Sequence, residues 1–323
     1  MQSFQGKIAV VTGGGSGMGR ELVRQLSAAG CHVATCDVSA DSLADTKTLS
    51  ELDAPAGTRI TTHLCDVADE AQVNRFRDEV VAQHGTDHVH LLFNNAGVGG
   101  GGSFVNDSRA SWECTFGICW GGVYLCSRAF VPLVVAAPEG HIVNTSSVNG
   151  FWACLGQGTP HTAYSAAKFA VKGFTEALIT DLRLNAPHVK CSVVMPGHIG
   201  TDIALNSQRI HGMDPKELTA EQVQMVRDRL AQQGIDASGA SDDDIRLGMQ
   251  AQGEAFRDNA PMSAAEATTV ILDGVRAGQW RILVGEDAHR LDEWVRQIPE
   301  EAYEPSFLEK LREGRVFGFM DGR

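Results

Sequence analysis

Thr12-Gly13-Gly14-Gly15-Ser16-Gly17-Met18-Gly19 follows the short apolar run Ile8 to Val11 and leads into the amphipathic stretch Arg20 to Ala29. Glycines in a strand-to-helix turn let backbone N–H groups and the helix N-terminus approach a pyrophosphate closely. A glycine-rich loop alone can be a purely conformational feature. Its place between a strand and a helix is what points to a dinucleotide cradle, with Gly13, Ser16, Gly17, Met18 and Gly19 nearest the phosphates. The next apolar run, His32 to Cys36, ends in Asp37, at the distance after the loop where a carboxylate reaches the adenosine ribose. Such a carboxylate accepts from both ribose hydroxyls and repels a 2′-phosphate. No Arg or Lys follows between Val38 and Ser42, so NAD is expected in preference to NADP. The alternative is an Asp that caps the next helix.

Outward from this unit the pattern repeats. Apolar runs at Ile60 to Cys65, Val89 to Phe93, His141 to Asn144 and Lys190 to Val194 have strand length, and Glu70 to Gln83 and Thr162 to Leu184 carry apolar residues three and four apart. Strands alternating with crossover helices predict an α/β fold, a doubly wound parallel sheet in which ligands bind beyond the carboxyl ends of the strands. At 323 residues a single domain, 1–323, with insertions is expected. Strand signals vanish from Asp202, polar helical stretches such as Glu221 to Gln232 appear, and Ser241 to Asp244 is acidic. The segment 202–262 is therefore read as an insertion, either a lid on the substrate pocket or a solvated excursion. Ala264 to Arg276 predicts a helix, Trp280 to Val284 a last strand, and 286–323 a charged helical extension.

Composition removes other classes. The formal charge of -13 and the lack of a basic stripe argue against nucleic acid. No uninterrupted apolar run approaches the roughly 20 residues of a membrane helix, and no signal segment precedes the first strand, so the cytoplasm is the expected compartment, with no membrane partner. The eight Cys are scattered without C-x-x-C or zinc-site spacing, which predicts buried reduced thiols and no metal site.

Chemistry enters at Tyr164-Ser165-Ala166-Ala167-Lys168. On a helix, Tyr164 and Lys168 share a face one turn apart. An ammonium on that face, with a positively charged nicotinamide nearby, favours the phenolate, making Tyr164 a candidate general acid and base for an alcohol and its ketone. A solvated helix face would show the same spacing. Gly140 to Asn144 reads as a buried strand ending in Thr145-Ser146-Ser147, where a hydroxyl could hydrogen-bond the substrate oxygen, or simply form a turn or cap.

Taken together these residues resemble the short-chain dehydrogenases/reductases of the group with the T-G-x-x-x-G-x-G loop. Thr12-Gly13, Gly17 and Gly19 match that loop, Asn94-Asn95-Ala96-Gly97 the N-N-A-G segment, and Asp66-Val67 the acidic pair that contacts adenine. Ser147, Tyr164 and Lys168 match the catalytic Ser, Tyr and Lys; Pro196-Gly197 with Ile199 and Thr201 matches the segment holding the nicotinamide carboxamide. The match covers about residues 6 to 205 in order. It implies a Rossmann-like fold with a seven-stranded sheet and hydride transfer at nicotinamide C4. Tyr164 would exchange the proton, Lys168 would bind the nicotinamide ribose and lower the Tyr pKa, and Ser147 would hold the substrate oxygen. The resemblance also implies a homotetramer or homodimer.

Two departures stand out. Cys119 occupies the position where the family usually carries the Asn of its catalytic tetrad, which is thought to hold a water relayed to the Lys; a thiol is a weak donor and acceptor. The Ser-to-Tyr segment, Asn149 to Thr162, is several residues longer than usual and contains Phe151, Trp152, Leu155, Gly156, Gly158 and Pro160. With Phe151 and Trp152 near the carbonyl position, Val98 to Phe104 on another wall and His198 close by, an apolar, roomy pocket is expected; the alternative turns both aromatics into the core. The leading expectation is an NAD-dependent oxidoreductase interconverting a bulky hydrophobic secondary alcohol and its ketone, of which an aryl-ether Cα-dehydrogenase is one version. The rivals are a 3-oxoacyl thioester reductase and a non-catalytic NAD-binding regulator or scaffold.

Overall fold

The computed structural model describes residues 1–155, 159–232 and 234–314. The strands β1 (Ile8–Thr12), β2 (His32–Asp37) and β3 (Ile60–Leu64) alternate with the helices α1 (Gly17–Ala28), α2 (Ala40–Asp53) and α3 (Glu70–His84). The chain continues through β4 (Leu91–Asn94), α4 (Arg109–Phe116), α5 (Gly122–Ala136), β5 (Gly140–Thr145), α6 (Thr162–Asn185) and β6 (Val189–Pro196). After β7 (Ile199–Gly200) come α7 (Ile203–Ile210), α8 (Ala220–Gln232), α9 (Asp242–Asp258) and β8 (Met262–Ser263). The chain then forms α10 (Ala264–Ala277), β9 (Arg281–Val284), α11 (Glu286–Gln297) and α12 (Pro305–Glu313).

Seven strands form one parallel sheet in the order β3-β2-β1-β4-β5-β6-β9, as the pattern of apolar runs predicts. Side chains alternate across a strand. Val11 therefore joins Leu22, Val23, Leu26, Ile271 and Val275 on the face covered by α1 and α10, while its neighbour Val10 joins Phe76, Val80, Phe130 and Leu182 under α3, α5 and α6. Burial on both faces explains why the strands read as continuous apolar runs, not alternating ones. Each fully buried Leu, Ile or Phe adds about 1.5–3 kcal/mol. Strand order reverses between β1 and β4, and the crevice at their carboxyl ends is the topological switch point.

Helix ends follow local chemistry. Asp69 caps α3, accepting from the N–H groups of Ala71 and Gln72, and Gly85 closes it at φ 60°. The acidic cluster at 241–244 is the start of α9: Ser241 and Asp244 form a reciprocal capping box, as Ser263 and Glu266 do for α10. The segment 202–262 leaves and returns at one place, where β7 pairs with β8 through Ile199–Met262 and Gly200–Ser263 and Arg257 Nη1 meets Asp202 Oδ1 at 2.9 Å.

One helix departs from the sequence expectation. α4, a π turn at Gly117–Gly121 and α5 run on as a single 28-residue helix, Arg109–Ala136, containing an 18-residue window with a mean hydropathy of 1.6 that by length and composition would suffice to cross a membrane. Its inner face, Cys126, Ala129, Phe130 and Val134, lies in the core; Trp120 and Tyr124 on its outer side contact each other, and Trp120 meets Phe174 of α6 edge-on.

Of the extension 286–323, residues 315–323 lie outside the described residues, as do Gly156 and Gly158 of the Ser-to-Tyr segment. The rest folds back over that segment: Ala288, Leu291, Ala302, Phe307 and Leu311 form an apolar cluster with Val148 and Trp152.

Candidate active site

The glycine loop is built around contacts that leave no room for side chains. Gly13 takes φ 68° and Gly17 φ 51°, conformations that favour glycine. A Cβ on Gly13 would lie 2.8 Å from the Ala96 Cα, and one on Gly19 would run into the Gly13 carbonyl. Ser16 takes the N-cap position of α1, but its side chain makes no capping hydrogen bond, so the helix presents its first N–H groups outward. That is the chemistry a pyrophosphate needs. Met18 packs partly against the core below.

Thr12, at the end of β1, ties this loop to the segment after β4. Its Oγ1 accepts from the N–H groups of Asn95 at 3.0 Å and Ala96 at 3.1 Å, and Asn95 Nδ2 donates back to the Thr12 carbonyl at 3.2 Å. Asn94, quoted in the sequence only as part of a motif, anchors a fully buried polar chain: its Nδ2 donates to Ser127 Oγ and Asn144 Oδ1, and Asn144 Nδ2 donates to Thr175 Oγ1. This chain fastens β4, β5, α5 and α6 together behind the site, and only the tertiary structure reveals it.

Asp37 sits against the loop, with Oδ2 accepting from Gly15 N–H at 2.9 Å and Oδ1 from Ser39 N–H at 3.1 Å. The cap of α2 is Ser39, not Asp37. Asp66 Oδ1 accepts from Ala68 N–H at 2.9 Å, while the Val67 side chain is buried against the Gly122 position of α5. Thr201 places its methyl group beside Gly17, and Gly197 N–H donates to the Val284 carbonyl at 2.9 Å, holding Pro196-Gly197 at the sheet edge. Ile199 is buried in β7.

Tyr164 and Lys168 share one face of α6. The ammonium is 5.3 Å from the centre of the phenol ring and donates to the Thr145 carbonyl at 2.8 Å, with 2 % of the residue exposed. Ser147 stands in extended conformation after β5; its Oγ accepts from Asn149 N–H at 3.2 Å, capping the short 3-10 turn Val148–Gly150, and it also reaches the Tyr164 phenol. Turn cap and site residue are thus one side chain. Burial raises the Tyr164 pKa above the ordinary tyrosine value, while Lys168, as its place on the same face implies, and Ser147 pull it partly back. His161, one turn before Tyr164, packs its ring against the phenol at a tilt of 34° with centroids 4.6 Å apart, and burial lowers its pKa to about 4, so it is neutral at physiological pH. Nothing in the sequence spacing singled it out.

Cys119 lies in the π turn and is fully buried. Its thiol donates to the Val98 carbonyl at 3.1 Å, and its sulfur accepts from Val98 N–H at 3.4 Å. It thereby uses both hydrogen-bonding capacities of a thiol on one residue of the loop beside the site. Gly97 lies between this sulfur and the Lys168 ammonium.

The expected walls need correction. Trp152 is turned into the cluster under α11 and α12, where its Nε1–H donates to the Ala302 carbonyl at 2.7 Å, and Phe151 packs against the same cluster with the Arg281 guanidinium over its ring. Burying the indole against the extension outweighs leaving it on an open cleft. The His198 ring also points away, packed at a tilt against Phe256 of α9 with Nε2 at 2.7 Å from the Phe256 carbonyl. Val98 is held beside the site by Cys119. α7 and the following His211 reach the loop after β4 and the glycine turn: Ser207 Oγ accepts from Gly99 N–H at 2.7 Å, His211 Nε2 meets the Gly99 carbonyl at 2.9 Å, and Asn206 Nδ2 donates to Ser16 Oγ at 3.1 Å. Among the described residues no cluster of His, Cys, Asp or Glu could hold a metal ion.

A glycine turn at the switch point, an acid seated on it and a Tyr–Lys helix beside them make up the architecture of an oxidoreductase built on a dinucleotide fold. The family model for short chain dehydrogenases matches residues 7–210, and the chain belongs to that family. It is similar to SadH of Mycobacterium tuberculosis, with 36% identity over 296 residues, 92% of each chain. It also resembles the meso-2,3-butanediol dehydrogenase of Serratia marcescens, with 35% identity over 55% of this chain and 66% of the relative. Among solved structures, a short-chain dehydrogenase/reductase from Burkholderia phymatum in complex with NAD superposes with a TM-score of 0.73 at 30% identity, covering 93% of this chain and 95% of that one. A metagenomic short-chain oxidoreductase in complex with NADP gives 0.53 at 31% identity, over 60% and 83%. The chain is thus an oxidoreductase whose family uses a nicotinamide cofactor.

Proposed function

We propose that the chain is an NAD-dependent dehydrogenase that interconverts a bulky hydrophobic secondary alcohol and its ketone. The observation that carries this reading is the Tyr164 phenol held between the Ser147 hydroxyl and the Lys168 ammonium at the carboxyl end of β5. Asp37 supports NAD over NADP: its carboxylate lies on the Gly15 amide, where a 2′-phosphate would meet a negative charge. The lining supports an apolar substrate less than the sequence suggested, because Trp152 and Phe151 belong to the extension's cluster. The size argument rests on the helical cover α7–α9, a candidate lid whose first helix bridges from Ser16 to Gly99.

The residues fit the cofactor. Gly13, Ser16, Gly17, Met18 and Gly19 would hold the pyrophosphate, Asp37 the adenosine ribose and Asp66-Val67 the adenine. Asn95, Ala96, Gly97, Pro196, Gly197, Ile199 and Thr201 would border the nicotinamide half. Bound there, the nicotinamide supplies a hydride acceptor or donor at C4. In alcohol oxidation, Ser147 Oγ–H holds the substrate oxygen and the Tyr164 phenolate takes the hydroxyl proton. Lys168, beside the phenol on the same helix face, pulls the Tyr164 pKa down against the effect of burial. In the reverse direction Tyr164 returns the proton to the carbonyl oxygen. Assembly as a homodimer or homotetramer through the outer aromatic face of α5 and α6, in a compartment that keeps the eight thiols reduced, belongs to the same proposal.

The test follows NADH absorbance with NAD and NADP across a panel of bulky secondary alcohols, with wild type beside Tyr164→Phe. The expected result is turnover with NAD and a loss of about 10²–10⁴-fold in the variant. Equal turnover in Tyr164→Phe would overturn the role of the phenol, and a preference for NADP would overturn that of Asp37.

A further inference from the structure

The backbone facing the nicotinamide half is fixed from behind by the C-terminal extension. Asp287, the second residue of α11, is 5% exposed. Its Oδ2 accepts from His198 N–H at 2.6 Å and its Oδ1 from Ala288 N–H at 2.9 Å. The carboxylate also fills the space that a side chain at Gly197 would occupy. Gly197 is thus required by the acid behind it. On the next residue the imidazole turns into α9, so His198 meets the extension through its backbone and the insertion through its ring. Beyond it, β7 is zipped to β8 and Gly200 lies against the Arg257 carbonyl. A carboxylate is costly to bury and is retained only where donors meet it. Here one donor is the amide of the very segment matched to carboxamide binding, 89 residues away in sequence.

We propose that Asp287 is a positioning residue for the nicotinamide end of the cofactor: by holding the His198 amide and filling the place of a Gly197 side chain, it sets where Pro196–Thr201 presents its peptide groups to the carboxamide. This makes the extension part of the cofactor site, and it rests on the nicotinamide reading of the cleft. Asp287→Ala removes both acceptors. Asp287→Asn keeps the shape but must turn its NH2 toward one of the two N–H donors.

The experiment titrates wild type and both variants with NADH and with ADP-ribose, which keeps the pyrophosphate and adenosine anchors but lacks the nicotinamide. Dissociation constants, the fluorescence enhancement of bound NADH and thermal melts are recorded. ADP-ribose should bind all three proteins within twofold. NADH should bind Asp287→Ala about tenfold more weakly and lose its fluorescence enhancement, with Asp287→Asn in between. A purely structural role would lower the melting temperature and weaken both ligands in parallel, and that result overturns the proposal. So does an unchanged NADH affinity and fluorescence in either folded variant; should Asp287→Ala not fold, Asp287→Asn alone decides. Wild type that binds neither ligand would overturn the cofactor reading itself, an outcome visible before any variant is compared.

Discussion

Replacing Cys119 separates what its sulfur does from what its place in the π turn does. Cys119→Ala leaves the Val98 N–H and carbonyl without their partner in a position with no solvent exposure. A buried polar group stripped of its partner costs about 1–3 kcal/mol; since sulfur bonds are weak, we take the lower half of that range, about 1–2 kcal/mol, for each, about 2–4 kcal/mol in all, plus a void of one sulfur atom. Val98 follows Gly97, which borders the Lys168 ammonium, so the displaced loop should also lower kcat/KM about tenfold. Cys119→Asn restores one donor and one acceptor, as the family's usual residue would, but forces extra atoms into a filled site at about 1–3 kcal/mol. The expectation is that Asn lowers the urea midpoint yet keeps activity within a few-fold of wild type, whereas Ala lowers both. Urea denaturation and NADH-linked kinetics on the three proteins give the answer. An Ala variant as stable and active as wild type would refute the bracing role of the thiol. An Asn variant that is folded but inactive would show instead a chemical role specific to sulfur.

Three further outcomes follow. Gly19→Ala should abolish NAD binding, by more than 100-fold, while circular dichroism stays native, because its Cβ would strike the Gly13 carbonyl at the phosphate turn; retained binding would contradict the cradle geometry. Trp152→Ala should cost about 3–5 kcal/mol and expose α11 and α12 to hydrogen exchange before the sheet, since the indole and its bond to Ala302 join the extension to the site; uniform exchange across the chain would argue against this. Burial lowers His84 and His90 to about 4 and His141 to about 3. The unfolded chain therefore binds protons near pH 6.5 that the native state refuses, so stability present above that pH is lost as the pH falls toward 4, by about 2 kcal/mol per histidine at pH 5. A urea midpoint equal at pH 7.5 and pH 5 would contradict it.

The seven strands of the sheet and helices such as α1, α6 and α10 were legible because the central apolar runs are buried on both sheet faces and these helices carry a 3.6-residue apolar period, so pattern and environment agree. The glycine turn from Thr12 to Gly19 and the face shared by Tyr164 and Lys168 were legible for a related reason: a tight strand-to-helix turn and a one-turn separation are local geometries that few residue types satisfy. The extended Ser-to-Tyr segment was not. Phe151 and Trp152 are apolar whether they face a cleft or a core, and the choice was made by α11 and α12, about 150 residues later. His198 likewise went to α9, and Cys119 found its two partners on Val98 across the loop. The sequence by itself determined the sheet, the glycine turn after β1 and the face shared by Tyr164 and Lys168, because those depend on neighbours within a turn or a strand. The tertiary structure alone decided which side chains line the cleft, how burial outweighs Lys168 at the Tyr164 phenol, and that Asp287 stands behind Gly197. Those outcomes depend on desolvation and on contacts between segments far apart in the chain, which residue type and spacing do not encode.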